Sequence, residues 1–272
     1  MEHLLTAWPL VLQRLKLAKH ILLLTDYDGT LTPIVARPEF ANLTASMRLL
    51  LQELRQEHNM TLGVISGRAL DDIRNKVGVT GIIFAGNHGL EIEGPGINFI
   101  NPLANEIKPI IKVVGYILKK SLGTMKGVFV EDKGLTLSVH YRLAEDNQTE
   151  NVKSTLDRVV GGAQASGKVK MTDGKKVYEV RPGVDWNKGK AIRLLMKKYG
   201  RGGYQSGLMP IFLGDDLTDE DGFQVIEKYG NGLSIFVGEA NKDTSARYYL
   251  RSPMEVEVFL SRLLESTSQG FK

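Results

Sequence analysis

Two carboxylates stand two residues apart directly after an apolar run near the start of the chain. Asp26 and Asp28 belong to the segment TDYDGT at positions 25–30. One carboxylate of such a pair can attack an electrophile, and the other can move the proton of the leaving group. Gly29 allows backbone N–H groups to approach an anion, and Thr30 adds a hydroxyl. An acidic turn has the same composition, so this segment alone leaves both interpretations open.

Two later segments add groups that can hold a phosphate. Ser66 follows the apolar run at 62–65 and offers a hydroxyl and a backbone N–H, although a lone Ser-Gly pair is also a common helix cap. Lys188 stands beside Gly189 at the start of a predicted helix and offers a fixed positive charge, although a lone lysine is usually solvated.

The segment GDD at 214–216 follows another apolar run. Asp215 and Asp216 provide the hard oxygen ligands that Mg²⁺ prefers, and Asp219 lies one helical turn further on. The alternative is a helix start capped by carboxylates.

Short apolar runs alternate with helical patterns and place these groups at strand ends. The predicted strands are 21–25, 62–65, 82–85, 211–213 and 233–237, and the predicted helices are 44–54, 188–199 and one through Phe223 and Ile226. This alternation predicts an α/β fold with a doubly wound parallel sheet. Ligands of such sheets bind at the carboxyl ends of the strands, where the polar segments stand.

The middle of the chain changes pattern and predicts a separate domain. A helix at 103–122 precedes a hairpin at 128–141, a helix around 152–160 that ends at Gly161-Gly162, and strands at 168–171 and 176–181. The order αββαββ predicts an antiparallel sheet backed by two helices, inserted as an α+β cap domain at 95–182. Residues 1–94 and 183–272 then form the catalytic core.

Composition excludes several classes of protein. The 272 residues are 42% apolar and carry a net charge of only +4, without a basic block of the density that nucleic-acid binding needs. The chain has no cysteine, so disulfides, thiolate chemistry and cysteine zinc sites are excluded. Residues 1–20 predict an amphipathic surface helix, and no apolar run approaches the roughly 20 residues of a membrane span. We therefore expect a cytoplasmic protein with no nucleic-acid or membrane partner and no obligate protein partner.

Four motifs in register carry a family resemblance. DYDGTL at 26–31, ISGR around Ser66, WNKGK around Lys188 and GDDLTDED at 214–221 resemble the motifs of haloacid dehalogenase (HAD) superfamily phosphatases, and among these the trehalose-6-phosphate phosphatase family. The match spans about 21–237. Four motifs in order are far more specific than any one of them.

The resemblance implies a magnesium-dependent mechanism. Asp26 would attack phosphorus and form an aspartyl-phosphate, and Asp28 would protonate the leaving oxygen and later deprotonate water. Mg²⁺ would be held by the Asp26 side chain, the Asp28 backbone carbonyl and Asp215. Ser66, with the adjacent Gly67, and Lys188 would hold the phosphoryl oxygens.

The remaining predicted site residues have supporting or substrate-binding roles. Asp216 is expected to orient Lys188 or a metal-bound water, and Asp219 and Thr30 support the site. In the hairpin, Thr136, Ser138 and His140 leave the apolar face, and a histidine there is also compatible with simple packing. The predicted substrate-binding residues are Arg68, Asn87, His88, His140, Glu179 and Arg181.

The implied activity is the hydrolysis of trehalose 6-phosphate, a small-molecule sugar phosphate. The core motifs do not depend on the leaving group, so mannosyl-3-phosphoglycerate, sucrose phosphate and glucosylglycerol phosphate stay open as substrates. A phosphosugar mutase, which returns the phosphoryl group to a second hydroxyl, and a regulatory module without turnover are the alternatives from other classes.

Overall fold

The structure is a computed structural model that describes residues 1–35, 37–174, 176–200 and 207–268. It divides into two compact units. The first unit is Met1–Asn98 with Trp186–Lys272, and the second unit is Phe99–Asp185. Among the described residues, no helix combines the length and the apolar character needed to cross a bilayer.

A nine-stranded sheet contains all the strands that carry the predicted catalytic motifs. Its strands are, in chain order, β1 (Glu2–His3), β2 (His20–Thr25), β3 (Met60–Ile65), β4 (Ile83–Gly86), β5 (Glu91–Gly94), β6 (Ile97–Ile100), β11 (Leu208–Gly214), β12 (Leu233–Val237) and β13 (Tyr248–Leu250). The spatial order is β1-β13-β12-β11-β2-β3-β4-β5-β6, and pairing is parallel from β1 to β4. β5 pairs antiparallel with β4.

The topology reverses at the central strand. The chain steps from β2 to β3 on one side and later returns to β2 with β11 on the other side. The loops after β2, β3 and β11 therefore leave the same edge of the sheet at a topological switch point, where ligands of α/β proteins bind.

Helices cover both faces of this sheet. They are α1 (Trp8–Lys16), α2 (Ala45–Leu54), α3 (Leu70–Val77), α6 (Lys188–Tyr199), α7 (Glu220–Tyr229) and α8 (Pro253–Ser268). Ile21 and Leu23 of β2 belong to one buried cluster with residues of α1, α2, α3 and α8. On the other face, Phe212 of β11 packs against Phe223 of α7 with ring centroids 5.5 Å apart. β2 is thus buried from both sides, as its continuous apolar run predicts.

The second unit has the predicted αββαββ order. It contains α4 (Pro102–Leu122), β7 (Phe129–Asp132), β8 (Leu137–His140), α5 (Thr149–Ala165), β9 (Val169–Gly174) and β10 (Val177–Pro182). The four strands form an antiparallel sheet in the order β7-β8-β10-β9. Apolar residues of both helices and of all four strands make one separate core. The predicted fold class, a doubly wound core with an α+β insert, is confirmed.

Several local predictions were wrong. α5 does not end at Gly161-Gly162 but continues to Ala165, because neither glycine has the positive φ with which a helix-ending glycine reverses the chain. The helix predicted in residues 1–20 covers only α1, since β1 precedes it and pairs with β13. Thr136 and Ser138 stand outside the apolar core of the second unit, as their alternation with Leu137 and Val139 predicts, but both side chains are buried.

Candidate active site

A buried ammonium lies between two carboxylates at the carboxyl edge of the sheet. Lys188 Nζ donates to Asp26 Oδ1 and to Asp219 Oδ1, each at 2.7 Å. Lys188 is 3% exposed and Asp219 is fully buried. Asp26 follows β2, Lys188 begins α6 and Asp219 immediately precedes α7, so one cation joins three separate segments of the first unit.

Burial and charge act in opposite directions on these three groups. Burial alone would lower the pKa of Lys188, but Asp219 and Asp26 outweigh it and raise that pKa above its usual value. Burial raises the pKa of Asp26 well above the usual range of a carboxylate and raises that of Asp219 to about 6, and Lys188 opposes both rises. Charged groups removed from water are stable only when paired in this way.

Asp219 also shapes the loop that carries Asp215. Its Oδ2 accepts hydrogen bonds from the backbone N–H groups of Asp215 at 3.1 Å and Asp216 at 3.2 Å. The Asp216 carboxylate, expected to orient Lys188 or a metal-bound water, accepts from the backbone N–H and the hydroxyl of Thr218, both at 2.7 Å. Asp219 therefore orients the lysine, while Asp216 caps the short helical turn.

Three carboxylates lie close enough together to hold a metal ion. One oxygen from each of Asp26, Asp215 and Asp219 lies within 4.8 Å of the others. Burial raises the pKa of Asp215 to about 7, and the charges of Asp219 and Asp216 add to the rise. A Cβ at Gly29, whose φ is +85°, would lie 2.1 Å from Asp215 Oδ2, so only glycine leaves room for this arrangement. Clustered hard oxygen donors fit Mg²⁺ better than a soft metal.

Asp28 is held by an arginine. Arg68 Nε and Nη2 donate to the two carboxylate oxygens of Asp28, both at 2.7 Å. The same guanidinium donates to Asp72 at 2.8 Å and to the carbonyl oxygen of Pro38 at 2.8 Å, and it is largely buried. Arg68 was predicted to bind substrate, but the structure directs its donors to Asp28, Asp72 and Pro38. Asp28 is not among the carboxylates of the metal cluster.

Ser66 and its neighbours follow β3 at the same edge. Ser66 is 1% exposed, and its Oγ accepts from the backbone N–H of Arg68 at 3.2 Å. Thr30 is also fully buried, and its hydroxyl has no hydrogen-bond partner among the described residues. Asn87 follows β4, is fully buried, and donates to Glu91 at 3.0 Å. The structure thus brings these predicted residues to one edge of the first unit.

The predicted cap residues cluster on one face of the second sheet. Glu179 accepts from Arg181, from Lys133 at 3.4 Å and from Ser138 at 3.5 Å. His140 Nε2 lies 2.8 Å from Glu131 Oε2.

Sequence reasoning missed Lys133 and Glu131. Both residues lie in the hairpin predicted at 128–141, where neither was expected to contribute to a site, and the side chain of Lys133 is only 9% exposed. Such burial of a lysine is rare without a charged partner. The predicted hairpin contained a signal for Glu131. Antiparallel pairing of β7 with β8 places Glu131 opposite Ser138, on the face of the sheet that carries the predicted polar residues.

Comparison with solved structures defines the class of the fold. A haloacid dehalogenase-like hydrolase from Bacteroides thetaiotaomicron superimposes with a TM-score of 0.61 at 17% identity, covering 90% of this chain and 100% of that one. The C-terminal domain of trehalose-6-phosphate phosphatase from C. albicans gives a TM-score of 0.78 at 27% identity, covering 94% of this chain and 96% of that one. The fold is that of the HAD-like hydrolases.

Sequence comparison identifies the family. The trehalose-phosphatase family model matches residues 24–254. Probable trehalose-phosphate phosphatase 4 of Oryza sativa subsp. japonica is 38% identical over 250 residues, and trehalose-phosphate phosphatase B of Arabidopsis thaliana is 37% identical over 262. These matches cover 91% of this chain and 66% and 67% of the two relatives, so the chain spans about two thirds of their length. The chain belongs to the trehalose-phosphatase family, whose members are phosphoric monoester hydrolases.

The carboxylate cluster predicts that the metal-free protein loses stability as the pH rises. The pKa of Asp215 is about 7 in the folded protein and has an ordinary value of 3.8, so the folded state binds this proton more tightly. The contribution of Asp215 to the free energy of unfolding is fully present below pH 3.8, falls between pH 3.8 and about 7, and is absent above pH 7. We expect Asp215→Asn to raise the Tm of the chelated protein at pH 8, by roughly 2–4 °C for each kcal/mol of repulsion removed.

Thermal denaturation with EDTA and with Mg²⁺ measures this effect. Wild-type protein should gain stability from Mg²⁺, and Asp215→Asn should lose most of that gain. Asp243→Asn, at an exposed carboxylate, is the matched control and should behave as wild type. A lower Tm for Asp215→Asn in EDTA, with the Mg²⁺ response intact, would contradict the proposed repulsion.

Proposed function

We propose that this chain is a magnesium-dependent phosphatase that hydrolyses trehalose 6-phosphate to trehalose and phosphate through an aspartyl-phosphate intermediate. The observation that carries the proposal is the buried Asp26–Lys188–Asp219 group with Asp215 beside it. Asp26 is the only one of these carboxylates that directly follows the central strand of the switch point. The names of the relatives support trehalose 6-phosphate as the substrate.

The first step forms a bond from Asp26 to phosphorus. A carboxylate oxygen of Asp26 attacks, the bond from phosphorus to the sugar oxygen breaks, and that oxygen takes a proton from Asp28. Lys188 contacts Asp26 at 2.7 Å and favours its ionised form, which is the nucleophile. Arg68 donates to both oxygens of Asp28 and so fixes the orientation of the carboxyl group that transfers the proton.

The second step releases phosphate. A water molecule gives a proton to Asp28 and attacks phosphorus, and the bond between phosphorus and Asp26 breaks. Lys188 and the hydroxyl of Ser66 hold phosphoryl oxygens in both steps. The backbone N–H of Ser66, which the sequence also offered as a donor, is not used, because it donates to the carbonyl oxygen of Ala85 at 2.8 Å. Asp26 and Asp215, with the backbone carbonyl of Asp28, would hold Mg²⁺, which when bound neutralises charge on the phosphoryl group.

Sugar recognition is assigned to the polar face of the second sheet. Glu179, with Lys133 and Arg181 in contact, provides an oriented carboxylate that can accept hydrogen bonds from sugar hydroxyls. A hydroxyl-rich ligand suits such a cluster, because each charge-assisted hydrogen bond is stronger than a neutral one.

Phosphate release from a panel of esters tests the function. We expect trehalose 6-phosphate to be turned over with a higher kcat/KM than mannosyl-3-phosphoglycerate, sucrose phosphate or glucosylglycerol phosphate. The activity should vanish after exhaustive chelation and return with Mg²⁺ but not with Zn²⁺. Transfer of phosphate between sugar positions without release would instead identify a mutase, and preference for another ester would overturn trehalose as the product.

Replacing the nucleophile tests the covalent step. Asp26→Asn removes the attacking charge and keeps the shape of the side chain, so we expect no turnover above a buffer blank and partial retention of magnesium-dependent substrate binding. Asp157→Asn, at an exposed position of α5, is the matched control and should retain full activity. Borohydride reduction of wild-type protein during turnover, followed by mass spectrometry, should modify residue 26. Measurable steady-state phosphate release by Asp26→Asn refutes attack by this residue.

Replacing Glu179 tests sugar recognition separately from phosphate chemistry. Its loss leaves sugar hydroxyls poorly paired, at about 1.5–3 kcal/mol per charge-assisted hydrogen bond, which is roughly a ten- to hundred-fold fall in kcat/KM. Phenyl phosphate makes no such contact, so Glu179→Ala should hydrolyse it almost as well as wild type. We expect His140→Ala to act in the same direction with a smaller effect.

Glu150→Ala, at an exposed position of α5, is the control for the second unit and should affect neither substrate. Equal losses on trehalose 6-phosphate and phenyl phosphate would assign Glu179 to the folding of the second unit.

A further inference from the structure

The connection from β4 to β5 contains three successive residues in the left-handed backbone region. The φ angles are 51° at Asn87, 58° at His88 and 84° at Gly89. In the part of the chain that the structure describes, Lys176 is the only other non-glycine residue with a positive φ. Glycine adopts this conformation readily, whereas a side chain makes it costly. A strained turn at the edge that carries the site points to a use for the two side chains.

Backbone hydrogen bonds join this turn to the segment that follows β3. The N–H of His88 donates to the carbonyl oxygen of Ser66 at 2.8 Å, and the N–H of Asn87 donates to that of Arg68 at 2.7 Å. The N–H of Asn87 follows the extended Gly86, whereas the N–H of His88 follows a residue in the left-handed conformation. The turn therefore sets the path of the backbone on both sides of Gly67.

The side chain of His88 also contacts the segment that follows β3. A Cβ at Gly67 would lie 2.8 Å from both Cε1 and Nε2 of His88, and the three atoms nearest to it all belong to the imidazole. The ring thus lies directly against the Gly67 backbone. His88 itself is half-buried.

The turn also contacts the segment that leads to the lysine. The indole N–H of Trp186 donates to the carbonyl oxygen of Gly89 at 2.9 Å, two residues before α6 begins at Lys188. One turn therefore touches both parts of the first unit that hold phosphoryl oxygens under the proposed function.

We infer that His88 is a positioning residue for the phosphate-binding loop: its imidazole and its backbone N–H hold Ser66 and Gly67 in the conformation that receives phosphoryl oxygens. This inference rests on the proposed function and replaces direct sugar contact as the role of His88. A hairpin connection that only had to reverse the chain would be satisfied by glycine at position 88, without an imidazole packed on the neighbouring loop.

Phosphate affinity distinguishes the three possible roles of His88. Replacing His88 should lower this affinity if the residue positions the phosphate-binding loop, and should leave it unchanged if the residue only contacts the sugar or only forms a turn. Calorimetric titration of the protein with inorganic phosphate, at saturating Mg²⁺, should show about ten-fold weaker binding for His88→Ala and His88→Asn than for wild type. Asparagine tolerates the left-handed region well, so His88→Asn is expected to keep the Tm of wild type while losing the imidazole. His58→Asn makes the same change at an exposed position and should bind phosphate as wild type does.

Kinetics on two substrates separate His88 from Glu179. Because the phosphoryl group is common to all esters, the His88 variants should lose the same factor in kcat/KM on trehalose 6-phosphate and on phenyl phosphate. A loss confined to the sugar phosphate, with phosphate affinity unchanged, would overturn the positioning role.

A double-mutant cycle tests the contact itself. Gly67→Ala should weaken phosphate binding in wild type, because the methyl group displaces the imidazole, and should weaken it much less in the His88→Ala background. Additive effects would overturn the inference. Wild-type protein that binds phosphate but hydrolyses no ester of the panel would overturn the proposed function alone, whereas an active wild type with unchanged affinity in His88→Ala overturns the positioning role alone.

Discussion

The ion pair between Lys188 and its two carboxylates organises the first unit. Three buried charges would be unstable separately, since each pays a large cost for leaving water. Together they connect the end of β2, the start of α6 and the segment before α7 at 2.7 Å contacts. Removing Lys188 would leave two carboxylates buried without compensation, so these segments must be assembled around the lysine for the site to exist.

The sheet explains why such an arrangement is possible at this place. Parallel strands deliver their following loops to one edge, and the reversal of strand order beside β2 opens a crevice there. Asp219 fixes the conformation of the loop after β11, because its Oδ2 accepts hydrogen bonds from the backbone N–H groups of Asp215 and Asp216. A single carboxylate thereby orients both the lysine and the loop that carries the metal-binding candidate.

Much of this architecture was predictable from local patterns. The apolar runs of β2, β3 and β11 end in polar segments, and strand direction alone brings their ends together. The pairing of side chains across the site was not predictable. Arg68 and Asp28 lie 40 positions apart, and their bidentate contact depends on packing that no local pattern records. Lys133 lies in the predicted hairpin, and no local pattern indicates that its ammonium pairs with Glu179, 46 positions later. The short strands β1 and β13 have too few residues for a detectable period.

The first unit is built from two segments separated by the whole second unit, and this has a consequence for folding. Asp26 and Lys188 are 162 positions apart, and the β11 partner of β2 is synthesised only after β10. The second unit is continuous in the chain and has its own core, so it can fold as soon as it is complete. β2 meanwhile has one edge without its native neighbour, an aggregation hazard for an apolar strand. Closing this long loop is costly in chain entropy, and the ion pair of Asp26 with Lys188 forms only when both segments of the first unit have come together.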